Sequence, residues 1–303
     1  MIISTTPTIV RRVPHYNQSA TDYHAAPGAS ASRLQLLKRS AAHMKYDMDN
    51  PQEPTQAMII GSATHSAILE PVLFAKEWGR LPEGDGRSKA VKEAKAELIT
   101  QFGADHILKP DVYDNILAMR DSVLSNALPL DLLDGADTEV SHYWRESTDT
   151  VSDELVAARL RVRNSVFLLG GVDCKARIDA LPGEDSMWSD CVVDIKTTAN
   201  ASPEEFRRSC FNFGYHISAA HYLAATQRQR FILIVVEKEL PHCVAVYELD
   251  DDALGLGRAD REFLLGQWAL CEAEEAAGGP DAWPGFPCEE IQELSLPGWA
   301  YTQ

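Results

Sequence analysis

Apolar and polar residues follow three successive patterns along the chain, and each pattern predicts a different kind of element. As far as residue 127, apolar residues recur three and four positions apart, which is typical of amphipathic helices. From 138 to 198 they alternate with polar residues or form short β-branched runs, as strands do. From 202 onward the helical pattern returns, interrupted by two further apolar runs. The predicted helices are 30–46, 54–70, 88–101, 110–127, one beginning at 202, 215–229 and 251–276; the predicted strands are 138–146, 154–163, 171–181, 191–198, 231–237 and 243–249.

Capping and breaking residues refine these bounds. Pro71 is expected to end the second helix, because proline cannot continue a helix in its interior. Ser202, Pro203 and Glu205 form a capping-box pattern at the start of the later helix. The run 231–237 is apolar throughout, which predicts a central strand buried on both faces. Helices, then strands, then a helix–strand–strand–helix order predict an α/β or α+β fold around a central mixed β-sheet.

The two ends of the chain differ from its middle. Residues 1–29 contain Pro7, Pro14 and Pro27 and are predicted to form an irregular arm. The tail, 278–303, is rich in proline, glycine and tryptophan and is predicted to pack as a surface strap. One domain is therefore expected over 30–277.

Composition narrows the class of protein. The 303 residues are 45% hydrophobic and 24% charged, as in ordinary globular proteins. We find no run of about 18 apolar residues and no secretion signal, so neither a membrane partner nor export is expected. Six scattered cysteines without a CxxC pair argue against zinc and iron–sulfur sites and favour reduced thiols in a cytoplasmic protein.

The net charge of −17 by itself argues against a nucleic-acid binder, since DNA binding largely neutralises phosphates. Net charge does not fix the local potential, however, and basic residues cluster at 11–12, 33–39, 159–163 and 207–208. Each cluster is compatible with a basic binding surface or with an ordinary solvated face.

The stretch CVVDIKTT, residues 191–198, carries the candidate chemistry. Asp194 and Lys196 lie two apart in a strand, so their side chains share a face. The turn-like link 182–186 predicts a hairpin with the preceding strand, which brings Asp179 and Asp194 to one point. Neighbouring carboxylates repel, and a hard cation such as Mg²⁺ or Mn²⁺ removes that penalty. Lys196 is then suited to orient or deprotonate water, or to stabilise charge on a phosphate. Taken alone, the Asp-x-Lys pattern favours an ordinary ion pair on a half-exposed strand, because this tripeptide is common.

Further segments extend the pattern. AMIIGSATHSAILEP (57–71) and VDCKARIDAL (172–181) combine with VVDIKTT, and the segments 22–43, 138–144 and 213–225 agree with them. Together they resemble the PD-(D/E)XK nuclease superfamily, and they are most similar to the RecE-like, exonuclease-eight type of phage and prophage exodeoxyribonucleases. The resemblance implies a restriction-endonuclease-like core, a central mixed sheet flanked by helices, with an N-terminal helical portion.

The resemblance also implies a site. It places metal ligands at His65, Asp179 and Asp194 and at the backbone carbonyl of Ile195, with Lys196 catalytic beside the two aspartates. Glu139 falls where related exonucleases have an additional acidic residue near the metal; a solvated strand carboxylate is the alternative. An inward-facing His65 is otherwise an ordinary core histidine.

A later helix shows a departure from the family. Tyr222 stands at the tyrosine of a Gln-x-x-x-Tyr pattern, and Ser218 occupies the place of the glutamine. The resemblance implies that Tyr222 lines the DNA path, with amphipathic packing as the alternative. The segment 148–171 is longer than the usual link, and we interpret it as an added edge strand or oligomer contact.

The implied activity is Mg²⁺- or Mn²⁺-dependent, 5′-to-3′ digestion of one strand of linear double-stranded DNA, leaving 3′ tails for a single-strand annealing protein. The implied assembly is a homo-oligomeric ring around DNA, with Arg33, Lys38, Arg39 and Arg177 facing its channel. Two alternatives remain: an endonuclease of this fold in repair or restriction, and a non-catalytic protein that binds DNA ends.

Overall fold

The computed structural model describes residues 10–51, 53–85, 87–146, 171–288 and 291–296. Within them the helices are α1 (Ala20–Ala25), α2 (Ala31–Arg39), α3 (Ala41–Asp49), α4 (Gln56–Leu69), α5 (Pro71–Glu77), α6 (Lys89–Phe102), α7 (Pro110–Leu124), α8 (Ala127–Leu133), α9 (Pro203–Asn212), α10 (Tyr215–Thr226) and α11 (Asp251–Ala276). The strands are β1 (Val10–His15), β2 (Gly79–Arg80), β3 (Ile107–Leu108), β4 (Asp137–Glu146), β5 (Val172–Leu181), β6 (Cys191–Thr198), β7 (Arg230–Glu237) and β8 (Val244–Glu248).

A six-stranded mixed sheet in the order β1-β4-β5-β6-β7-β8 organises the molecule. Its strands pair antiparallel except for β6 and β7, which run parallel and are joined through α9 and α10. A crossover of this kind is what a parallel pair requires. The predicted α/β architecture with a central mixed sheet is confirmed.

The sheet separates two hydrophobic cores. One core packs α2, α3, α10 and α11 on one face, and the other packs α4, α5, α7 and α8 on the opposite face. Side chains of β7 alternate between them, with Leu233 in the first core and Ile234 in the second. The prediction of a central strand buried on both faces is therefore confirmed.

The N-terminal arm is more regular than predicted. Its strand β1 pairs antiparallel with β4 at the edge of the sheet, and α1 follows. An edge strand tolerates Pro14, because one side of its backbone needs no hydrogen-bond partner. The Lys175 ammonium then fixes the end of α1 by donating to three carbonyls, those of Tyr23 at 2.8 Å, His24 at 3.1 Å and Ala26 at 2.6 Å. From residue 10 onward the prediction of an irregular arm was wrong, because these contacts are long-range; residues 1–9 of the predicted arm lie outside the described residues.

The predicted helix 30–46 is two helices. Ser40 adopts an extended conformation between them, and its hydroxyl accepts the backbone N–H of His43 at 3.2 Å. Serine is favoured at such N-cap positions because its oxygen satisfies a free helix N–H. Pro71 does end α4, as predicted, and it also begins α5.

Other bounds shift for local reasons. Ser202 precedes α9 but makes no capping bond with its side chain, so the capping box is not formed. The helix predicted over 215–229 ends at Thr226, because Gln227 has a left-handed conformation with φ 62°. The strand predicted over 154–163 and nearly all of the segment 148–171 lie outside the described residues.

The described part of the tail packs against the helices. Ala42 donates its backbone N–H to the Pro284 carbonyl at 3.0 Å, and Trp283 meets Trp268 of α11 edge to face. None of the helices in the described ranges is both long and apolar enough to cross a membrane.

Candidate active site

The candidate site lies where β5 and β6 separate. The two strands pair at Ala180 and Val193, and Asp179 and Asp194 follow at the point of divergence. There the Asp179 carboxylate accepts the backbone N–H of Ile195 at 2.8 Å, so a side chain takes the place of a ladder bond. Both aspartates are buried, as the hairpin prediction required.

Glu139 reaches the same point through an unusual backbone conformation. It lies on β4 between two regular pairs, Thr138 with Ala180 and Val140 with Ile178, and is therefore opposite Asp179. Its φ of 52° is left-handed, which is uncommon for glutamate and is costly unless the surroundings hold it. Strained residues of this kind concentrate at functional sites.

His65 completes a cluster of three. It projects from α4, whose Ala63, Ala67 and Ile68 pack into the core behind the sheet. Its Nδ1 lies 3.3 Å from Oδ2 of Asp179, and its side chain stays 23% exposed. One ligand atom each of His65, Glu139 and Asp179 lie within 4.8 Å of one another. We call these three residues the triad.

The triad fits a divalent cation. Burial raises the pKa of Glu139, and the negative charge of Asp179 raises it further, against the lowering by Arg177. A cation bound between the carboxylates would remove this repulsion. Two carboxylates and one imidazole are a donor set that Mg²⁺ and Mn²⁺ accept, Mn²⁺ more readily because of the nitrogen.

Asp194 and Lys196 form a second group, which we call the pair. The Lys196 ammonium makes an ion pair with Oδ2 of Asp194. That oxygen has no partner with hydrogen-bond geometry among the described residues. Burial raises the pKa of Asp194 to about 6, although Lys196 opposes the change. Burial lowers the pKa of Lys196, but Asp194 and Asp179 outweigh it and the net shift is upward.

Asp194 is not in the triad, and its role as a metal ligand stays a prediction. The same holds for the Ile195 carbonyl, which accepts a long hydrogen bond of 3.4 Å from Lys196. The structure brings together His65, Glu139 and Asp179 and sets Asp194 and Lys196 beside them. Glu139 is half-buried near Asp179 and paired with Arg177, which disfavours its interpretation as a solvated strand carboxylate.

The predicted DNA-contacting cations lie at two places, and their contact with DNA stays a prediction. The Arg177 side chain is 16% exposed, pairs with Glu139 and donates to the Gln18 carbonyl at 2.7 Å. Arg33 and Lys38 lie on α2, where Arg33 donates to the Gly28 carbonyl at 2.8 Å and Lys38 pairs with Asp260 at 3.0 Å. Arg39 is exposed at the end of the same helix.

Tyr222 and Ser218 both lie on α10. The Tyr222 ring packs 6.1 Å from that of Phe231, and burial, followed by the charge of Asp194, raises its pKa well above the usual value. Ser218 accepts a hydrogen bond from the Gln35 amide at 3.1 Å. A glutamine from α2 thus approaches the place where the resembled pattern has one on this helix.

Sequence reasoning gave little weight to Tyr215. Its ring lies under the Lys196 ammonium, with 5.3 Å between Nζ and the ring centroid. In the sequence, Tyr215 is marked only by its position directly after Gly214 at the start of a helix. This position does not indicate a contact with a residue of β6.

Comparisons with known proteins bear on the family and the fold of the chain. A family profile described as "PDDEXK-like domain of unknown function (DUF3799)" matches residues 30–152 and 161–291. A search of curated proteins returns no significant match.

Among solved structures, a candidate exonuclease from Eubacterium rectale is 11% identical, with a TM-score of 0.52 over 95% of this chain and 99% of that one. Rai1 of Scheffersomyces stipitis is 9% identical over 87% of this chain and 75% of its own, with a TM-score of 0.28. The first likeness shows the fold; the second is too distant to carry an argument. Together with the family description, the fold supports a nuclease. The family profile matches most of this chain, which shows that the chain belongs to the PDDEXK-like DUF3799 family.

Proposed function

We propose that this protein is a Mg²⁺- or Mn²⁺-dependent exodeoxyribonuclease that degrades one strand of linear double-stranded DNA, in the 5′-to-3′ direction, and leaves 3′ single-stranded tails for recombination. The observation that carries the proposal is the triad lying beside the pair at the divergence of β5 and β6. Carboxylates and an imidazole for a cation, next to a lysine, are the components of phosphodiester hydrolysis.

The triad would hold the cation, and Asp194 with the Ile195 carbonyl would complete its ligands. When bound, the metal supplies Lewis-acid polarisation of the scissile phosphate and neutralises its charge. Glu139 is kept in place by Arg177, and Asp179 by the Ile195 N–H. Side chains fixed in this way need little rearrangement to receive a cation.

Lys196 acts as a cation in this proposal. The upward shift of its pKa keeps the ammonium protonated, which suits charge stabilisation and orientation better than proton abstraction. Its side chain is 21% exposed, so it remains accessible to a phosphate at the site.

The DNA path and the assembly belong to the same proposal. We assign Arg33, Lys38 and Arg39 of α2 to phosphate contacts, Arg177 to the wall of the site and Tyr222 to the DNA path beside it. A homo-oligomeric ring would enclose the duplex, and its 3′-tailed product would pass to a single-strand annealing protein in the cytoplasm. A basic lumen within an acidic exterior is compatible with a net charge of −17.

The test is digestion of linear duplex DNA labelled at the 5′ or the 3′ end, with Mg²⁺, Mn²⁺ or EDTA. We expect metal-dependent release of mononucleotides that begins at 5′ ends, and no cleavage in EDTA. Lys45→Ala serves as a control variant, because Lys45 of α3 pairs with Asp49 and Glu275 and has no assigned contact with the metal or the DNA. Cleavage of closed circular DNA would instead indicate an endonuclease, and DNA-end binding without cleavage would indicate a non-catalytic binder.

A further inference from the structure

We propose that Tyr215 is a positioning residue for Lys196, acting through the face of its aromatic ring. The inference rests on the proposed function, because it assigns Lys196 a role at a phosphate. Three groups surround the ammonium: the Asp194 carboxylate, the Ile195 carbonyl and the Tyr215 ring at 5.3 Å. A ring within about 6 Å attracts an ammonium through its negative face, and the attraction grows where water is excluded.

The ring itself is held by neighbouring aromatic side chains. Phe206 of α9 lies 6.0 Å from the Tyr215 ring centroid and Phe213 lies 5.9 Å away, both tilted against it. Phe206 in turn stacks on Tyr247 of β8 at 5.4 Å. The ring is therefore part of a packed aromatic group and is not free to leave the ammonium.

The backbone that carries Tyr215 is fixed as well. Gly214 has a φ of 66°, a left-handed conformation that turns the chain into α10, and an added Cβ would lie 3.1 Å from Gln35. Gln35 donates to the Gly214 carbonyl at 3.4 Å and to the Ser218 hydroxyl at 3.1 Å. A side chain of α2 thus ties down the first turn of α10, where Tyr215 begins the helix.

The ring contact would matter with a cation in the site. Asp194 would then share its negative charge with the cation, and the Lys196 ammonium would lose part of its counter-charge. The Tyr215 ring would remain a partner of the ammonium, because an aromatic face offers no ligand atom to a metal. It would keep Lys196 directed to the phosphate.

The first experiment compares Tyr215→Phe with Tyr215→Leu and uses Tyr46→Leu as the control, since Tyr46 is an exposed aromatic residue of α3. We expect Tyr215→Phe and Tyr46→Leu to retain turnover within about two-fold and Tyr215→Leu to lose about 10-fold in kcat, the range that one cation–π contact supplies. KM for DNA and the affinity for Mn²⁺ should not change, because Tyr215 holds neither. Equal loss in the phenylalanine and leucine variants would overturn the role of the ring face.

Fluorination separates electrostatics from shape. Phenylalanines carrying one, two and three ring fluorines at position 215 keep the packing but weaken the negative face stepwise. We expect kcat to fall stepwise with fluorine number. A flat series would overturn the proposal even if Tyr215→Leu fails to fold.

A third readout does not depend on activity. Reductive ¹³C-methylation labels lysines, and a methylated Lys196 lying over an aromatic ring should give a resonance shifted by the ring current, identified by its absence in Lys196→Arg. We expect the shifted signal to persist in Tyr215→Phe and to move to the ordinary position in Tyr215→Leu. If the wild type cleaves no DNA but shows this shift, the nuclease proposal fails while the contact stands. If the wild type cleaves and the shift is absent, only the positioning role fails.

Discussion

The triad and the pair lie next to each other, yet they resolve the cost of buried charge in opposite ways. In the triad two carboxylates lie close together, and the nearby Arg177 compensates them only in part. Burial, followed by the negative charge of Asp179, raises the pKa of Glu139. In the pair, Asp194 has its own cation in Lys196. In the proposed mechanism the triad therefore takes up a cation from solution, whereas the pair is neutral by itself. The difference indicates that the triad is arranged to bind a cation, whereas the pair already contains its counter-charge before any metal binds.

The largest expected effect comes from removing the built-in cation. Lys196→Ala should lower kcat for linear duplex by about 10²- to 10³-fold, the usual loss when a group that stabilises developing charge is removed. Mn²⁺ affinity, measured by calorimetry, should change by less than about three-fold, because the triad remains. Wild-type turnover in this variant would contradict the division of roles.

Removing the anion of the pair should cost stability. Asp194→Asn leaves the Lys196 ammonium without its counter-charge, and we expect a loss of about 2 kcal/mol in the free energy of unfolding, measured by urea denaturation without metal. This is below the usual cost for a fully buried pair, because Lys196 keeps contact with water. Unchanged stability would show that the ion pair contributes nothing to the fold.

The matching change in the triad should act in the opposite direction. Asp179→Asn removes one of two repelling charges and keeps an oxygen for the Ile195 N–H, so the metal-free protein should be as stable as the wild type or more so. Mn²⁺ affinity should fall at least about 10-fold, and the rise in Tm on adding Mn²⁺ should shrink with it. A loss of stability like that of Asp194→Asn would erase the contrast.

The smallest expected effect is on pH dependence. Ligand carboxylates must be deprotonated to bind metal, and burial raises the pKa of Glu139 and brings that of Asp194 to about 6. Protonation of Asp194 competes with metal binding below about pH 6, and the raised pKa of Glu139 acts in the same direction, so Mn²⁺ affinity should rise as the pH increases through about 6. Calorimetry at roughly pH 5.5, 6.5 and 7.5 measures the slope, which should be shallower in Glu139→Gln. An equal slope in both proteins would mean that Glu139 is not a ligand.

Patterns within short stretches of the sequence predicted the part of the site whose residues lie on one strand, one hairpin or one helix. Alternation in 191–198 places Asp194 and Lys196 on one face, where they form an ion pair, and the turn before it predicts the hairpin that brings Asp179 close. The helix that carries His65 was predicted from its spacing and from Pro71. These features depend on neighbours within a few residues or across one turn, and the sequence therefore contains them directly.

The rest depends on contacts between distant segments. The inward position of Arg177 requires Glu139 to adopt a left-handed backbone, which no periodicity signals. Tyr215 meets Lys196 only because α10 crosses the sheet there, and Ser40 divides a helix whose apolar spacing continues across it. In each case contacts between distant segments determine the conformation, and local propensity does not indicate them.

The contacts that hold α1 limit how many N-terminal residues can be removed from this protein. Lys175 holds the carbonyls of Tyr23, His24 and Ala26, while Arg177, two residues along the same strand, bridges the Gln18 carbonyl and Glu139. A truncation that starts after residue 26 would strip acceptors from both cations at once. The resulting disorder would reach Glu139 of the candidate site through Arg177. The sequence pattern predicts only an irregular arm for these residues, but those from Gln18 onward structurally support the candidate site.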